Sequence, residues 1–177
     1  MLHGVFNNVI KHLNSILLYK MVEESGAEML DGQKNAFTHK RKMLKLSDGI
    51  DSGIDAIKNF MKKVFEDGID RALIVSDCTC LIALPGLLQQ IPHTDYNDTV
   101  ARNNYIVFVS IFIGTKIIVF DEMNTSSEIV LNVGDVFVGR GDLKHAGAAY
   151  DNYNVRLHFY VTRNSCPVPK NVTYLDV

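Results

Sequence analysis

From residue 72 onward the chain is a succession of short runs rich in β-branched and aromatic residues, each closed by a turn signal, and few folds accommodate that texture. The runs cover 72–75, 80–84, 105–113, 116–120, 128–131, 135–138, 146–150 and 155–161. Between them stand Gly114-Thr115, residues 121–127, Val133-Gly134-Asp135, Gly139 to Gly141, and residues 151–154, all turn-prone. No helical periodicity separates the runs, so an antiparallel sandwich, jelly roll or barrel is expected rather than a parallel α/β sheet.

The first 70 residues read differently. Val5, Phe6, Val9, Ile10, Leu13, Ile16, Leu17 and Met21 recur at spacings of three and four and predict an amphipathic helix over 5–21. A second helix is predicted over 54–65 from the stripe Ile54, Ile57, Phe60, Met61, Val64 and Phe65, with Asp51 or Ser52 as N-cap and Gly68 as stop. Residues 25–49 are polar and weakly patterned, and are expected to form a connection or a short helix with loops. With 177 residues one core suffices. The expected organisation is thus one domain, mainly β with flanking helices. Residues 1–70 form a helical support, 71–163 the β core, and 164–177, with Pro167 and Pro169, an extended C-terminal segment.

Composition narrows the function classes. The net charge is −2, with 10 basic and 10 acidic residues through Asp70 and 8 and 10 after it, so neither half is a polyelectrolyte binder. Lys40, Arg41, Lys42 and Lys45 cluster, but such a run is more often a solvated face than a nucleic-acid contact. The odd cysteine count, with Cys78 and Cys80 one residue apart, favours a reducing compartment and small apolar fillers over a disulfide. The amino terminus lacks a signal-like pattern and no apolar run reaches membrane-span length, so a soluble intracellular protein is expected, with no membrane partner.

One constellation carries chemistry. In extended chain, residues two apart point to one side, so His93 and Asp95 can offer an imidazole nitrogen and a carboxylate oxygen to one ion. His145 follows 50 residues later, behind the turn Gly139-Arg140-Gly141-Asp142, with room for the intervening strands to fold back. Two imidazoles and one carboxylate on one face suit iron(II) with positions left for a bidentate co-substrate and oxygen. Arg156 lies eleven residues past His145, at the start of the next strand, and its guanidinium fork matches a carboxylate.

His93-x-Asp95, the Gly134-Asp135 turn, His145-Ala146-Gly147 and Arg156 together resemble the signature of the iron(II)/2-oxoglutarate dioxygenase superfamily. The resemblance covers roughly residues 81–161. It implies a double-stranded β-helix, the cupin-like jelly roll, preceded by supporting α-helices. It further implies iron(II) held by His93, Asp95 and His145, and 2-oxoglutarate with its distal carboxylate clamped by Arg156. Tyr105 is a second donor to that carboxylate, and Lys116 an alternative clamp, ranked below Arg156 on spacing. The residue two after the arginine is often Ser or Thr in the family; here it is His158, on the same strand face as Arg156 and so either pocket lining or a packed core histidine. The implied activity hydroxylates or demethylates a substrate that the sequence does not name (protein side chain, nucleic-acid base or small molecule), with succinate and CO2 as co-products. Two readings compete: a cupin-like metal protein that uses no 2-oxoglutarate, and a catalytically silent β-helix binding module.

Overall fold

The computed structural model describes residues 3–6, 28–29, 40–46, 55, 58–63, 73–75, 78–96, 101–163 and 173–174. The strands are β1 (His3–Phe6), β2 (Glu28–Met29), β3 (Arg41–Leu46), β4 (Leu73–Val75), β5 (Cys78–Ala83), β6 (His93–Thr94), β7 (Tyr105–Ser110), β8 (Thr115–Phe120), β9 (Ser126–Leu131), β10 (Val136–Arg140), β11 (His145–Gly147), β12 (Asn154–Arg163) and β13 (Thr173–Tyr174). A 3₁₀ turn, Ala101–Asn103, precedes β7. The strands form two antiparallel sheets. The larger has the order β1-β10-β7-β12-β5-β3-β2, with β4 also on β12; the smaller has the order β13-β6-β11-β8-β9. From β7 to β12 the chain passes back and forth between the sheets, with β8 and β9 a hairpin of the smaller one. This is a jelly roll, and the eight strand runs expected after residue 72 each correspond to an observed strand within a few residues, apart from 146–150, where only Ala146 and Gly147 are in the strand.

The axis of the larger sheet is β12. Its alternate residues Val155, Leu157, Phe159 and Val161 are buried on one face with Cys78, Cys80, Ile82, Val107 and Val109. Met61, fully buried, closes that cluster from a segment helical at 58–63. The opposite face of the sheet turns toward the smaller one, and Ile106, Phe108 and Phe137 meet Ile117, Val119 and Leu131 there. Both faces of β7 are therefore covered, which explains why Ile106 to Ser110 are all buried although an antiparallel strand commonly leaves one face in water. Each large side chain so enclosed contributes about 1.5–3 kcal/mol. Cys78 and Cys80 act as small fillers of this core, as expected.

The amino-terminal half departs from expectation at two places. Val5 and Phe6, expected to open a helix, lie in β1, paired with Phe137 and Val136 on β10. The edge of β10 offers backbone partners that local periodicity cannot register. The remainder of that helix, 7–21, lies outside the described residues. The stretch 25–49, expected to be loop or short helix, supplies β2 and β3, an antiparallel pair that extends the larger sheet beyond β5. Of the second expected helix, residues 55 and 58–63 are helical and the others lie outside the described residues. At the carboxyl end, β13 pairs with β6 through Thr173 and Tyr174. Among the described residues no helix is long and apolar enough to cross a membrane.

Candidate metal centre

His93 stands on β6 and His145 on β11, and the two are cross-strand partners. The turn before β11 is tightly built. Leu143 N–H donates to the Arg140 carbonyl (2.9 Å), and the Arg140 guanidinium grips both oxygens of Asp142 (2.6 and 2.7 Å). Gly141 is required there, because a Cβ would stand 2.7 Å from the Ala101 carbonyl oxygen and from the Tyr96 ring. The tripeptide at 140–142 is thus a turn that delivers His145. The other signature turn closes around Gly134, which has a φ of 89°, and Asp135, whose carboxylate accepts from Asn132 N–H at 2.9 Å.

The three expected ligands converge. One donor atom from each of His93, Asp95 and His145 lies within 4.8 Å of the other two, and all three residues are buried. His93 Nε2 is 3.6 Å from Asp95 Oδ1, and His145 Nε2 is 4.0 Å from the same oxygen. The tautomers follow from the second nitrogen. His93 Nδ1 lies 2.7 Å from the Ile91 carbonyl and His145 Nδ1 lies 3.0 Å from that of Leu143. A carbonyl only accepts, so each Nδ1 carries the proton and each neutral ring turns the lone pair of Nε2 toward Asp95. Burial pushes His93 down to about 4, aided by the neighbouring His145, and burial likewise pushes His145 down to about 4. Burial pushes Asp95 up, opposed by His93, by the Tyr160 hydroxyl that donates to it, and by Arg156. Two neutral imidazoles and one carboxylate are what a divalent cation needs. With bonds of about 2.1 Å its donors stand about 3.0–3.6 Å apart, so the side chains present fit such an ion after small movements.

The interior face of β12 supplies the rest. Arg156, His158 and Tyr160 alternate with the apolar residues of the opposite face, so parity in the strand predicts all three on one side, and Tyr160 was legible by the same rule that placed His158. His158 is buried, stacks on Phe108 (ring centroids 4.7 Å, planes 20° apart), and directs Nε2 to Asp95 Oδ2 at 3.7 Å; it is part of the site rather than of the outer core. The Arg156 guanidinium lies 5.2 Å from the centre of the Phe108 ring, an attractive cation–π placement. Two buried atoms here, Arg156 Nε and His158 Nε2, make no hydrogen bond within the chain, and a ligand with acceptor oxygens would satisfy the first.

The other two expected co-substrate residues lie elsewhere. Tyr105 packs against the outer cluster with Val107 and Val109, on the opposite face of β7 from Phe108, and at the far end of that strand from the Ser110–Arg156 pair. Lys116 is half-buried and pairs with Glu128 across β8 and β9 at 2.9 Å. Both placements follow from side-chain parity within a strand, which spacing along the chain did not resolve. Conversely, the sequence reading placed Arg41 in a solvated basic run, yet it is buried at 4% exposure. It stands on β3 opposite Ala83, facing the interior, while Lys40 beside it is exposed.

No protein-family model matches the sequence, and no curated protein matches it. Solved structures do match its fold. A prolyl-4-hydroxylase from Pseudomonas putida is similar over 92% of this chain and 93% of its own, with a TM-score of 0.71 and 13% identity. The viral collagen prolyl hydroxylase of Paramecium Bursaria Chlorella virus-1, in complex with 2-oxoglutarate, is similar over 92% of this chain and 97% of its own, at a TM-score of 0.67 and 14% identity. HygX from Streptomyces hygroscopicus, with nickel and 2-oxoglutarate bound, covers 98% of this chain and 91% of its own, at a TM-score of 0.63 and 11% identity. The fold is therefore that of the 2-oxoglutarate oxygenases.

Proposed function

We propose that this protein is an iron(II)- and 2-oxoglutarate-dependent oxygenase that hydroxylates or demethylates its substrate. The observation that carries the reading is the convergence of His93, Asp95 and His145 beside a buried arginine, Arg156, in a fold shared with a structure that holds nickel and 2-oxoglutarate and with one in complex with 2-oxoglutarate. Held there, iron(II) and 2-oxoglutarate would supply oxidation by dioxygen, one oxygen atom going to the substrate C–H bond and the other to succinate, with CO2 released.

The chain's own residues set the conditions. His93, Asp95 and His145 would hold the metal; burial keeps both imidazoles neutral, and the Ile91 and Leu143 carbonyls anchor each Nδ1–H so that Nε2 is directed inward. Tyr160 donates to Asp95 and so fixes which way its carboxylate faces. Arg156 would orient the co-substrate through its distal carboxylate, and its guanidinium lies over Phe108, 5.2 Å from the ring centre. The buried walls contributed by Phe108, Ile117 and Val119 exclude water from this side of the centre. Substrate choice resides on loops, and the prolyl hydroxylase neighbours make a peptide side chain one class to try first.

The test is anaerobic titration of iron(II) and 2-oxoglutarate into the purified protein, following the weak visible charge-transfer band of the metal–oxo acid chelate. The band is expected in the wild type and lost in His145→Ala. Arg156→Ala is expected to need at least tenfold more 2-oxoglutarate, about the value of a charge-assisted hydrogen bond. Iron binding with no band would favour a cupin-like protein that uses no 2-oxoglutarate. No iron binding would leave a silent binding module.

A further inference from the structure

Gly147 on β11 is a point of crowding. A Cβ there would stand 2.6 Å from Gln90 Oε1, 2.8 Å from an Arg41 terminal nitrogen and 3.0 Å from an Arg156 terminal nitrogen. Two guanidiniums from different strands therefore meet over one glycine, and both arginines are buried, at 4% and 7% exposure. The register explains how. Arg41 on β3 is opposite Ala83 on β5, and Ala83 is opposite Asn154 on β12, two residues from Arg156 on the same face. Ala83 between them is small enough to let both long side chains reach inward. Gln90 locks the floor: its backbone N–H donates to the Gly147 carbonyl at 2.9 Å, and its side-chain oxygen accepts from Gly147 N–H at 2.9 Å.

Two buried guanidiniums converging on one point present their donor forks to the same space, which suits an anion that accepts from both. We infer that Arg41 and Arg156 together form a two-guanidinium cradle for the distal carboxylate of a 2-oxo dicarboxylic acid, with Arg41 a second co-substrate-binding residue. The inference rests on the proposed oxygenase reading. It places part of the co-substrate site in the β2–β3 extension of the larger sheet, outside the segment that carries the sequence resemblance. The cradle confers a preference for a 2-oxo acid with a second carboxylate over one without.

The experiment measures two dissociation constants, for 2-oxoglutarate and for the monocarboxylate 2-oxobutyrate, from the visible band of the anaerobic iron(II)-loaded protein. The proteins compared are wild type, Arg41→Met and Arg41→Lys. Arg41→Met is expected to weaken 2-oxoglutarate about tenfold or more and to leave 2-oxobutyrate where it was, with Arg41→Lys in between. Equal weakening of both acids would mean that Arg41 only supports the fold, and an unchanged constant for 2-oxoglutarate would remove it from the site; either result overturns the inference while leaving the oxygenase reading intact. A wild type that forms no band with either acid sinks that reading and this one together. Should Arg41→Met not fold, the ratio of the two constants in Arg41→Lys decides, because lysine keeps the charge and stem and loses the fork.

Discussion

His93 and His145 are the same device used twice. Each is the partner of the other across β6 and β11, each gives its Nδ1 to the carbonyl two residues before it, and their ring centroids lie 4.6 Å apart. Neither imidazole needs a distant side chain to fix its tautomer, so the centre is set by two short strands and the chain just ahead of them. Replacing His145 by Ala should therefore abolish the rise in melting temperature that divalent metal gives the wild type, while a chelated sample of the variant still unfolds cooperatively. Thermal melts with and without manganese(II) or iron(II) check this.

Acid should destabilise the metal-free protein. His93 and His145 are held down at about 4 in the fold, against 6.5 when exposed. Between those values the unfolded chain binds more protons than the folded one, so stability is full above about pH 6.5 and falls as pH drops toward 4. The loss is up to about 3 kcal/mol for each histidine. Denaturant midpoints of chelated protein between pH 7 and pH 4 should show the slope. His145→Gln should flatten it, and an equal slope in that variant would assign the acid sensitivity elsewhere.

Gly147→Ala should weaken 2-oxoglutarate more than it weakens iron. The added methyl enters the space where the Arg41, Arg156 and Gln90 side chains meet, and the long arginines give way before the backbone does. A rise of about tenfold in the 2-oxoglutarate dissociation constant, with metal affinity little changed, is the expected result by titration.

Lys116→Met should change neither constant. Its ammonium pairs with Glu128 at 2.9 Å across β8 and β9, and in β8 it is Ile117 and Val119, of the opposite parity, that pack with Phe108. A loss of 2-oxoglutarate binding in this variant would restore lysine as the clamp and displace Arg156.

Phe108→Ala is expected to be the most damaging single change near the site. The ring is 3% exposed, carries the His158 stack and lies under Arg156, so its loss leaves a cavity and frees two polar groups at once. The cost should be about 3–5 kcal/mol in chemical denaturation.

The legible parts of this protein were those with local signatures. The strands after residue 72 announce themselves through β-branched runs and turns, and the meeting of His93, Asp95 and His145 through a set of motifs that resembles a known signature. What stayed hidden depends on which strand lies beside which. Val5 and Phe6 join a sheet because β10 has an edge to fill. Arg41 reads as one cation in a basic run until β3 pairs with β5 and turns it inward, in register with Ala83. Tyr105 is separated from Ser110 by five positions, an odd number, and so faces the opposite side of β7 from the residue that pairs with Arg156.

The alternation along β12 has a final consequence. One side of that strand is grease and the other is chemistry, with no residue to spare between them. Exchanges of one apolar residue for another on the first side are cheap, but a single inserted or deleted residue would exchange the two sides wholesale, drawing Leu157 and Phe159 toward the metal and expelling Arg156 and His158. Such a strand can drift in spelling almost without limit so long as its rhythm is kept, which is how proteins sharing about a tenth of their residues arrive at one backbone.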